Sequence, residues 1–276
     1  PAKCSGAAAA PDAETVVITT DGPAPNLPGN LANIAIVSRH AGEGATTADY
    51  NDGVAAIGTG AFKFKSFSKG DSVVLERNPD WWGHTVDWDT ATYRMLTSNG
   101  GRTAALLSGD VDIIDTPPAV DIPRLESTDG LHVRSTAGLR AIYLMPNYRP
   151  LDEIIGVSGK NGAALSENPL TNVSVRKALS TAIQREAIVE RIMEGTATAS
   201  AQWLPETAFS YAPSQTVKEP DLEAAKALLA EGGYPDGFAL TLYVPTDRYP
   251  NAPAVAQAVA QMWTRIGVDT AVESLP

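Results

Sequence analysis

Alternating apolar and polar residues predict a β-hairpin in the first third of the chain. The run Phe62-Lys-Phe-Lys-Ser-Phe67 alternates aromatic and polar side chains, as a half-buried strand does. Lys69-Gly70-Asp71 follows as a turn, and Ser72-Val-Val-Leu-Glu76 resumes an extended pattern, so residues 61–77 are predicted to form the hairpin. Upstream, the β-branched run at 15–20 predicts a short strand after a loose start.

The middle of the chain mixes one clear helix signal with several short apolar runs. Residues 102–108 predict a helix that ends at Gly109, because glycine suits the left-handed position after a helix. A second helical stretch is expected near 119–126. Three runs are predicted to be extended: Val111–Ile114, His132–Arg134 and Ala141–Met145.

Beyond residue 170 the helix signals sharpen, because capping residues stand before them and glycines after them. Three helices are predicted: 172–182 capped by Asn172, 185–194 ended by Gly195, and 222–230 capped by Asp221 and ended by Gly232-Gly233. We expect the apolar side chains of the first two to be core: Val175, Leu179, Ile183, Ile188 and Ile192.

The last 40 residues predict a βαβ unit. A strand at 238–244 is followed by a helix capped by Asn251 and then by a strand at 268–272. One face of the helix carries Val255, Val259, Met262 and Ile266. Two strands joined through a helix run parallel with a right-handed crossover, so the fold class is mixed α/β.

Composition and charge exclude some functions. The chain has 276 residues, 43% of them hydrophobic, which is enough for a sizeable core in one or two domains. Its net charge of −11 repels phosphates, so we expect no nucleic-acid partner. No apolar run approaches the roughly 20 residues that a membrane-spanning helix needs.

Residues with catalytic or metal-binding chemistry do not form a convincing constellation. Asp110, Asp112 and Asp115 could suggest a metal or acid–base cluster, but no histidine accompanies them and a solvent-facing polar strand edge is favoured. Cys4 is the only cysteine, and it has no base in a recognisable motif. The three histidines show no ligand spacing: His40, His84 and His132. We expect no enzyme activity, no metal and no cofactor.

Several segments, taken together in their order, resemble one protein family. They are Gly58–Phe64, Val74–Gly83, Arg102–Ile114, Asn172–Leu179, Arg185–Val189 and Ala224–Phe238. The chain resembles the family 5 extracytoplasmic solute-binding proteins of peptide, oligopeptide and nickel importers. The resemblance implies a two-lobed, type II periplasmic-binding-protein-like α/β fold that closes on a peptide or similar solute and docks on an ABC permease. It also implies a periplasmic or extracytoplasmic location.

The resemblance further implies a division of the chain. Residues 1–13 are expected to be a loose N-terminal segment, 14–136 part of the first lobe and 137–276 part of the second. Such proteins are close to twice this length, so we expect an incomplete binding unit. Weak or absent ligand binding, and an uncovered sheet after the last strand, would follow from that.

Candidate ligand-binding residues also come from the resemblance. The family's matching strand, here 138–147, runs near bound peptide, which points to Tyr143 and Asn147. Arg140 could pair with a ligand carboxylate, although strand alternation would place it and Tyr143 on opposite faces. Trp81, Trp82 and Trp88 could form a stacking platform, but a packed cap over the hairpin is favoured.

Two other functions stay open at this point. A hydrolase or glycosidase fragment would need two carboxylates, or a nucleophile and a base, within reach of one cleft. A peptide-sensing receptor domain would differ from an importer component only in its partner.

Overall fold

A computed structural model describes residues 7–136, 138–246 and 248–275 of the chain. It forms two compact units, Pro1–Ser98 and Asn99–Pro276. The predicted lobe boundary at 136/137 does not coincide with this division, and the lobe assignment stays a prediction. Cys4 lies outside the described residues.

The first unit is built around a three-stranded antiparallel sheet, which contains the predicted hairpin. The hairpin strands pair from Phe62↔Arg77 to Ser68↔Ser72 with one bulge, and a third strand that the sequence reading missed pairs with the second. The strands are β1 (Ala8–Ala9), β2 (Val17–Ile18), β3 (Phe62–Ser68), β4 (Ser72–Arg77) and β5 (Thr90–Arg94), and the helices are α1 (Leu27–Leu31), α2 (Arg39–Gly42) and α3 (Thr47–Asn51). The strand predicted at 15–20 shrinks to β2.

The second unit contains the predicted helices and the βαβ motif. Its helices are α4 (Asn99–Leu107), α5 (Ile122–Glu126), α6 (Val173–Thr181), α7 (Arg185–Arg191), α8 (Leu222–Glu231) and α9 (Ala252–Thr264). Its strands are β6 (Val157–Ser158), β7 (Phe238–Pro245) and β8 (Val268–Leu275). The sheet order is β6-β7-β8, with β6 antiparallel and β8 parallel to β7, so the predicted parallel pair is confirmed.

Helix caps explain why these helices begin and end where they do. The Asn172 side chain accepts hydrogen bonds from the N–H groups of Ser174 and Val175, and that of Asp221 accepts one from Ala224, as predicted. Asn251 stands at the N-cap position of α9, as predicted, but its side chain does not cap the helix. Asn251 has a positive φ of 53° and makes no capping hydrogen bond; its Nδ2 instead donates to the carbonyl of Ile192 at 2.7 Å.

The core of the second unit lies between α6, α8, α9 and the sheet. Val175, Leu229, Phe238 and Val268 are almost completely buried there. Trp263 joins two of the helices, because its indole N–H donates to the carbonyl of Leu179 at 2.9 Å. Of the five core residues predicted in 172–194, Val175 and Leu179 are buried, and Ile183, Ile188 and Ile192 are partly buried.

Three extended segments do not form the strands that their composition suggests. Residues 111–114, 132–134 and 141–145 have no strand partner among the described residues. Ile113 is 86% exposed, so the first of them has no sheet to bury it. A β-strand is stable only when a neighbour satisfies its backbone groups, and local alternation does not supply that neighbour.

Truncating Leu179 to alanine is expected to lower the free energy of unfolding by about 2–5 kcal/mol, because the side chain is buried in the core of the second unit. Chemical denaturation followed by circular dichroism measures the change. The matched control is Leu139→Ala, in a leucine that is 76% exposed, with an expected change below about 0.5 kcal/mol. Equal losses in the two variants would show that the face of α6 is assigned wrongly.

Candidate functional site

The segment that carries the three predicted site residues is an exposed, irregular stretch of the second unit. Residues 138–147 contain no helix or strand in the described chain. Large apolar side chains are nevertheless concentrated in it. Those at least one third exposed are Leu139, Ile142, Tyr143, Leu144 and Met145. A stretch of solvent-exposed apolar side chains of this kind is typical of a surface that binds something.

A buried asparagine fixes the end of this segment. Asn168 is only 4% exposed, and its Nδ2 donates to the carbonyls of Asn147 at 2.7 Å and Arg149 at 2.9 Å. Its Oδ1 accepts from the N–H of Leu170 at 3.0 Å. Because every polar atom of this buried amide is paired, the backbone around Asn147 is held firmly against the start of α6.

An arginine on α6 supports the same region. The residue is Arg176, and its guanidinium Nη1 donates to the backbone carbonyls of Leu170 at 2.9 Å and Thr171 at 2.8 Å. The guanidinium carbon of Arg176 also lies 5.1 Å from the ring centroid of Tyr148 in a cation–π contact. The predicted site residue Asn147 therefore precedes an aromatic residue that is anchored to the helix.

The three predicted residues differ in their surroundings. The Asn147 Oδ1 accepts a hydrogen bond from the N–H of Arg149 at 3.2 Å. The Nδ2 of the same side chain has no hydrogen-bond partner among the described residues. Arg140 is exposed. Tyr143 is 52% exposed and contacts an aromatic ring described below. Within the described part of the chain, no hydrogen bond or ring contact joins the three side chains to each other.

Trp203 is a neighbour of the site that sequence reasoning missed. Its ring centroid lies 4.3 Å from that of Tyr143, with an interplanar angle of 68°. It comes from the long irregular segment between α7 and α8. The segment has no helix or strand face for a tryptophan to cover. A tryptophan at such a position is therefore the sequence signal that could have identified Trp203 as a candidate.

The loop that carries Trp203 is closed by its neighbour Gln202. The Gln202 Nε2 donates to the carbonyl of Ala212 at 2.9 Å, and its Oε1 accepts from the N–H of Ala212 at 2.9 Å. The N–H of Gln202 in turn donates to Ser200 Oγ at 3.2 Å, and that hydroxyl donates to the Gln202 carbonyl at 2.6 Å. This paired amide fixes the backbone next to Trp203.

Other candidate groups do not assemble into a chemical site. Among the described residues, no three His, Cys, Asp or Glu side chains are placed to hold a metal ion. Asp110 accepts a hydrogen bond from the hydroxyl of Ser108 at 2.9 Å, which is a local turn contact. The predicted tryptophan cap is also wrong, because Trp82 and Trp88 are 80% and 69% exposed and only Trp81 is partly buried.

An open depression of about 650 Å³ lies over the sheet of the second unit. None of the residues that line it belongs to the predicted segment 138–147. Its lining is mostly small or polar and includes Gly156, Ser158, Thr241, Asp269 and Ala271. In the parts of the chain that the structure describes, no helix has the length and apolar character to cross a bilayer.

Comparisons of the sequence with a family model and with known proteins point to the same kind of protein. The family model described as "Bacterial extracellular solute-binding proteins, family 5 Middle" matches residues 5–276. The heme-binding protein A of Haemophilus influenzae is 28% identical over 217 residues, which cover 78% of this chain and 37% of that protein. The dipeptide-binding protein of Escherichia coli is 26% identical over 219 residues, 78% of this chain and 38% of that protein.

Solved structures show the same likeness over almost the whole chain. The ABC transporter-associated periplasmic binding protein DppA of Helicobacter pylori, in complex with the peptide STSA, superposes with a TM-score of 0.73 at 26% identity. The match covers 98% of this chain and 49% of that one. NikZ of Campylobacter jejuni, in complex with Ni(L-His), gives a TM-score of 0.76 at 19% identity and shows likeness of fold alone. The chain thus spans about half the length of these solved relatives.

Proposed function

Because the chain belongs to the bacterial extracellular solute-binding proteins of family 5, we propose that it captures a peptide or a similar small solute and delivers it to the permease of an ABC importer. The observation that carries the proposal is the family match over residues 5–276. The proposal concerns the whole protein, since the chain spans about half of its solved relatives.

The fold agrees with this family. Its α/β architecture is part of a type II periplasmic-binding-protein fold, as the sequence predicted, and its solved neighbours share that fold over 98% of the chain. An extracytoplasmic location is part of the proposal, since a binding protein that feeds an importer has to meet its solute outside the cytoplasm.

The proposed mechanism is capture without chemistry. The solute is held by non-covalent contacts and released unchanged to the permease, and the chain itself catalyses no reaction. Closure of two lobes around the solute is the motion that the family resemblance implies. Selectivity then depends on the shape and polarity of the residues that meet the solute.

The exposed segment 138–147 supports a role in solute contact. The Asn147 Nδ2 is a donor suited to a peptide carbonyl, and the backbone behind it is held by buried Asn168. Arg140 offers a cation for a carboxylate, and Tyr143 offers a ring face and a hydroxyl. A site with one fixed polar donor and an apolar surround is the usual composition of a small-solute pocket.

Replacing Asn147 with alanine is expected to weaken solute binding about tenfold, because the solute loses one hydrogen bond to a fixed donor. The measurement is isothermal titration calorimetry on the complete gene product, with a solute recovered from it. Asn51→Ala, at the exposed end of α3, is the matched control and should leave the affinity unchanged. An unchanged affinity in the Asn147 variant, with a normal melting temperature, would remove this residue from the site.

A further inference from the structure

We propose that Asn161 is a site of spontaneous covalent modification, at which the side-chain amide is converted to a carboxylate through a cyclic succinimide. The inference is independent of solute capture. It is carried by the loop that follows β6, where an exposed asparagine directly precedes a glycine. No hydrogen bond joins the Asn161 side chain to another described residue.

The reaction uses only groups of this loop and water. The backbone nitrogen of Gly162, once it has lost its proton, attacks Cγ of Asn161. A bond forms between these two atoms, and Nδ2 takes up a proton and leaves as ammonia. Water then opens the ring at either carbonyl, which gives aspartate or isoaspartate. Oxidation states do not change, so neither an oxidant nor a reductant is needed.

The local structure leaves both reacting groups accessible. Asn161 and Gly162 have positive φ values of 56° and 77°, as a tight Asn-Gly turn does. A Cβ at Gly162 would have nothing within 4 Å, so the surroundings of the glycine are open. The loop is closed by the N–H of Gly159, which donates to the carbonyl of Ala163 at 2.8 Å, and this bond does not involve the asparagine amide.

The second Asn-Gly pair of the sequence is protected by its structure. Asn99 is the first residue of α4, and its Oδ1 accepts a hydrogen bond from Nη2 of Arg102 at 2.7 Å. Attack by the nitrogen of Gly100 has to break this charge-assisted bond and open the first turn of the helix. A hydrogen bond to a charged group is strong enough to slow such a step about tenfold or more. The fold therefore selects Asn161 from two pairs with the same local sequence.

The isoaspartyl product is expected to loosen the loop. It adds one methylene group to the main chain beside Gly162, between the two residues that close the loop, Gly159 and Ala163. The loop directly follows β6, whose Val157 and Ser158 pair with β7. A longer main chain there weakens the closing bond and exposes the edge of the sheet to exchange with water.

The test is incubation of the complete gene product in mildly alkaline buffer, followed by peptide mapping with mass spectrometry. Replacement of the amide NH2 by OH gives a small mass increase, and chromatography separates aspartyl from isoaspartyl peptides. We expect Asn161 to be modified at least about tenfold faster than Asn99 in the folded protein. The rate should be lower in mildly acidic buffer, because the attacking nitrogen has to lose its proton. In denaturant the two asparagines should react at similar rates.

Two variants make the test specific. Asn161→Gln keeps an amide but would have to form a larger ring, so the modified peptide should disappear while Asn99 behaves as before. Freshly purified Asn161→Asp carries the new charge without the extra methylene group. Its amide hydrogen exchange around Gly159 should match that of the unmodified protein, whereas the isoaspartyl fraction of aged protein should exchange faster.

Three results would contradict the inference. Equal rates at Asn161 and Asn99 in the folded protein, or a difference that persists in denaturant, would show that the fold does not select the site. Aspartate without isoaspartate would exclude the succinimide, since the ring opens to both products. Unchanged exchange around Gly159 in the isoaspartyl fraction would refute the loosening of the loop.

Discussion

Replacing Gly237 with alanine is expected to destabilise the second unit by about 3–5 kcal/mol. Gly237 has φ of +79°, and a Cβ at this position would collide with the backbone carbonyl of Gly267. The two glycines come directly before β7 and β8, at the point where Phe238 and Val268 begin the parallel pairing. A side chain there both strains the backbone and pushes the two strand starts apart.

The matched control is Gly233→Ala. Gly233 also has a positive φ, +89°, but a Cβ there would have nothing within 4 Å. Its substitution should cost only the backbone strain, about 1–2 kcal/mol. Urea denaturation of both variants isolates the steric contribution as their difference. If both variants lose the same free energy of unfolding, the close approach of the strands does not exist in solution.

Replacing Trp263 with alanine is expected to cost about 3–5 kcal/mol in the free energy of unfolding. The indole is 5% exposed and packs within the core between α6, α9 and the sheet. The substitution also leaves the carbonyl of Leu179 without its donor, which adds to the cost of the cavity.

A second substitution divides this effect into its parts. Trp263→Phe keeps most of the apolar contact but removes the hydrogen bond, so a loss of about 1–3 kcal/mol is expected. Phe209→Ala, at a fully exposed aromatic, should change stability by less than about 0.5 kcal/mol. A Trp263→Ala variant as stable as the Phe209 control would mean that α9 does not pack on α6 as described.

The parts of the fold that the sequence predicts well are those encoded by local signals. The hairpin strands β3 and β4 follow from alternation around the Gly70 turn, and α6 and α8 follow from the caps Asn172 and Asp221. The βαβ unit follows from the change of hydrophobic period between residues 238 and 272. In each case, side chains within a few residues determine the backbone.

The errors occur where distant residues decide the structure. Asn251 resembles a helix cap locally, but its side chain bonds to Ile192, 59 residues away. The run 141–145 is apolar enough for a strand, yet no strand of the described chain pairs with it. Partners that are distant in the chain cannot be read from one local pattern, so the capping role of the Asn251 side chain and the strand at 141–145 were predicted wrongly for the same physical reason.

The candidate site is predictable only in part. The family resemblance pointed to Tyr143, Asn147 and Arg140, and these assignments stay predictions. Trp203 could not be found from spacing, because it contacts Tyr143 from a segment 60 residues away that has no periodic pattern. The role of Asn168 was equally hidden, since its donors face backbone carbonyls 19 and 21 residues earlier in the chain.

The most direct test of solute capture is native mass spectrometry of the complete gene product, combined with thermal melting. We expect a small solute to be retained, to be released chemically unchanged on denaturation, and to raise the melting temperature when it is added back in excess. At a solute concentration of about 100 times Kd, the stabilisation should be about 2.7 kcal/mol. Retention of no solute and no melting shift with peptides or other small solutes would contradict the account, and so would recovery of a hydrolysed product.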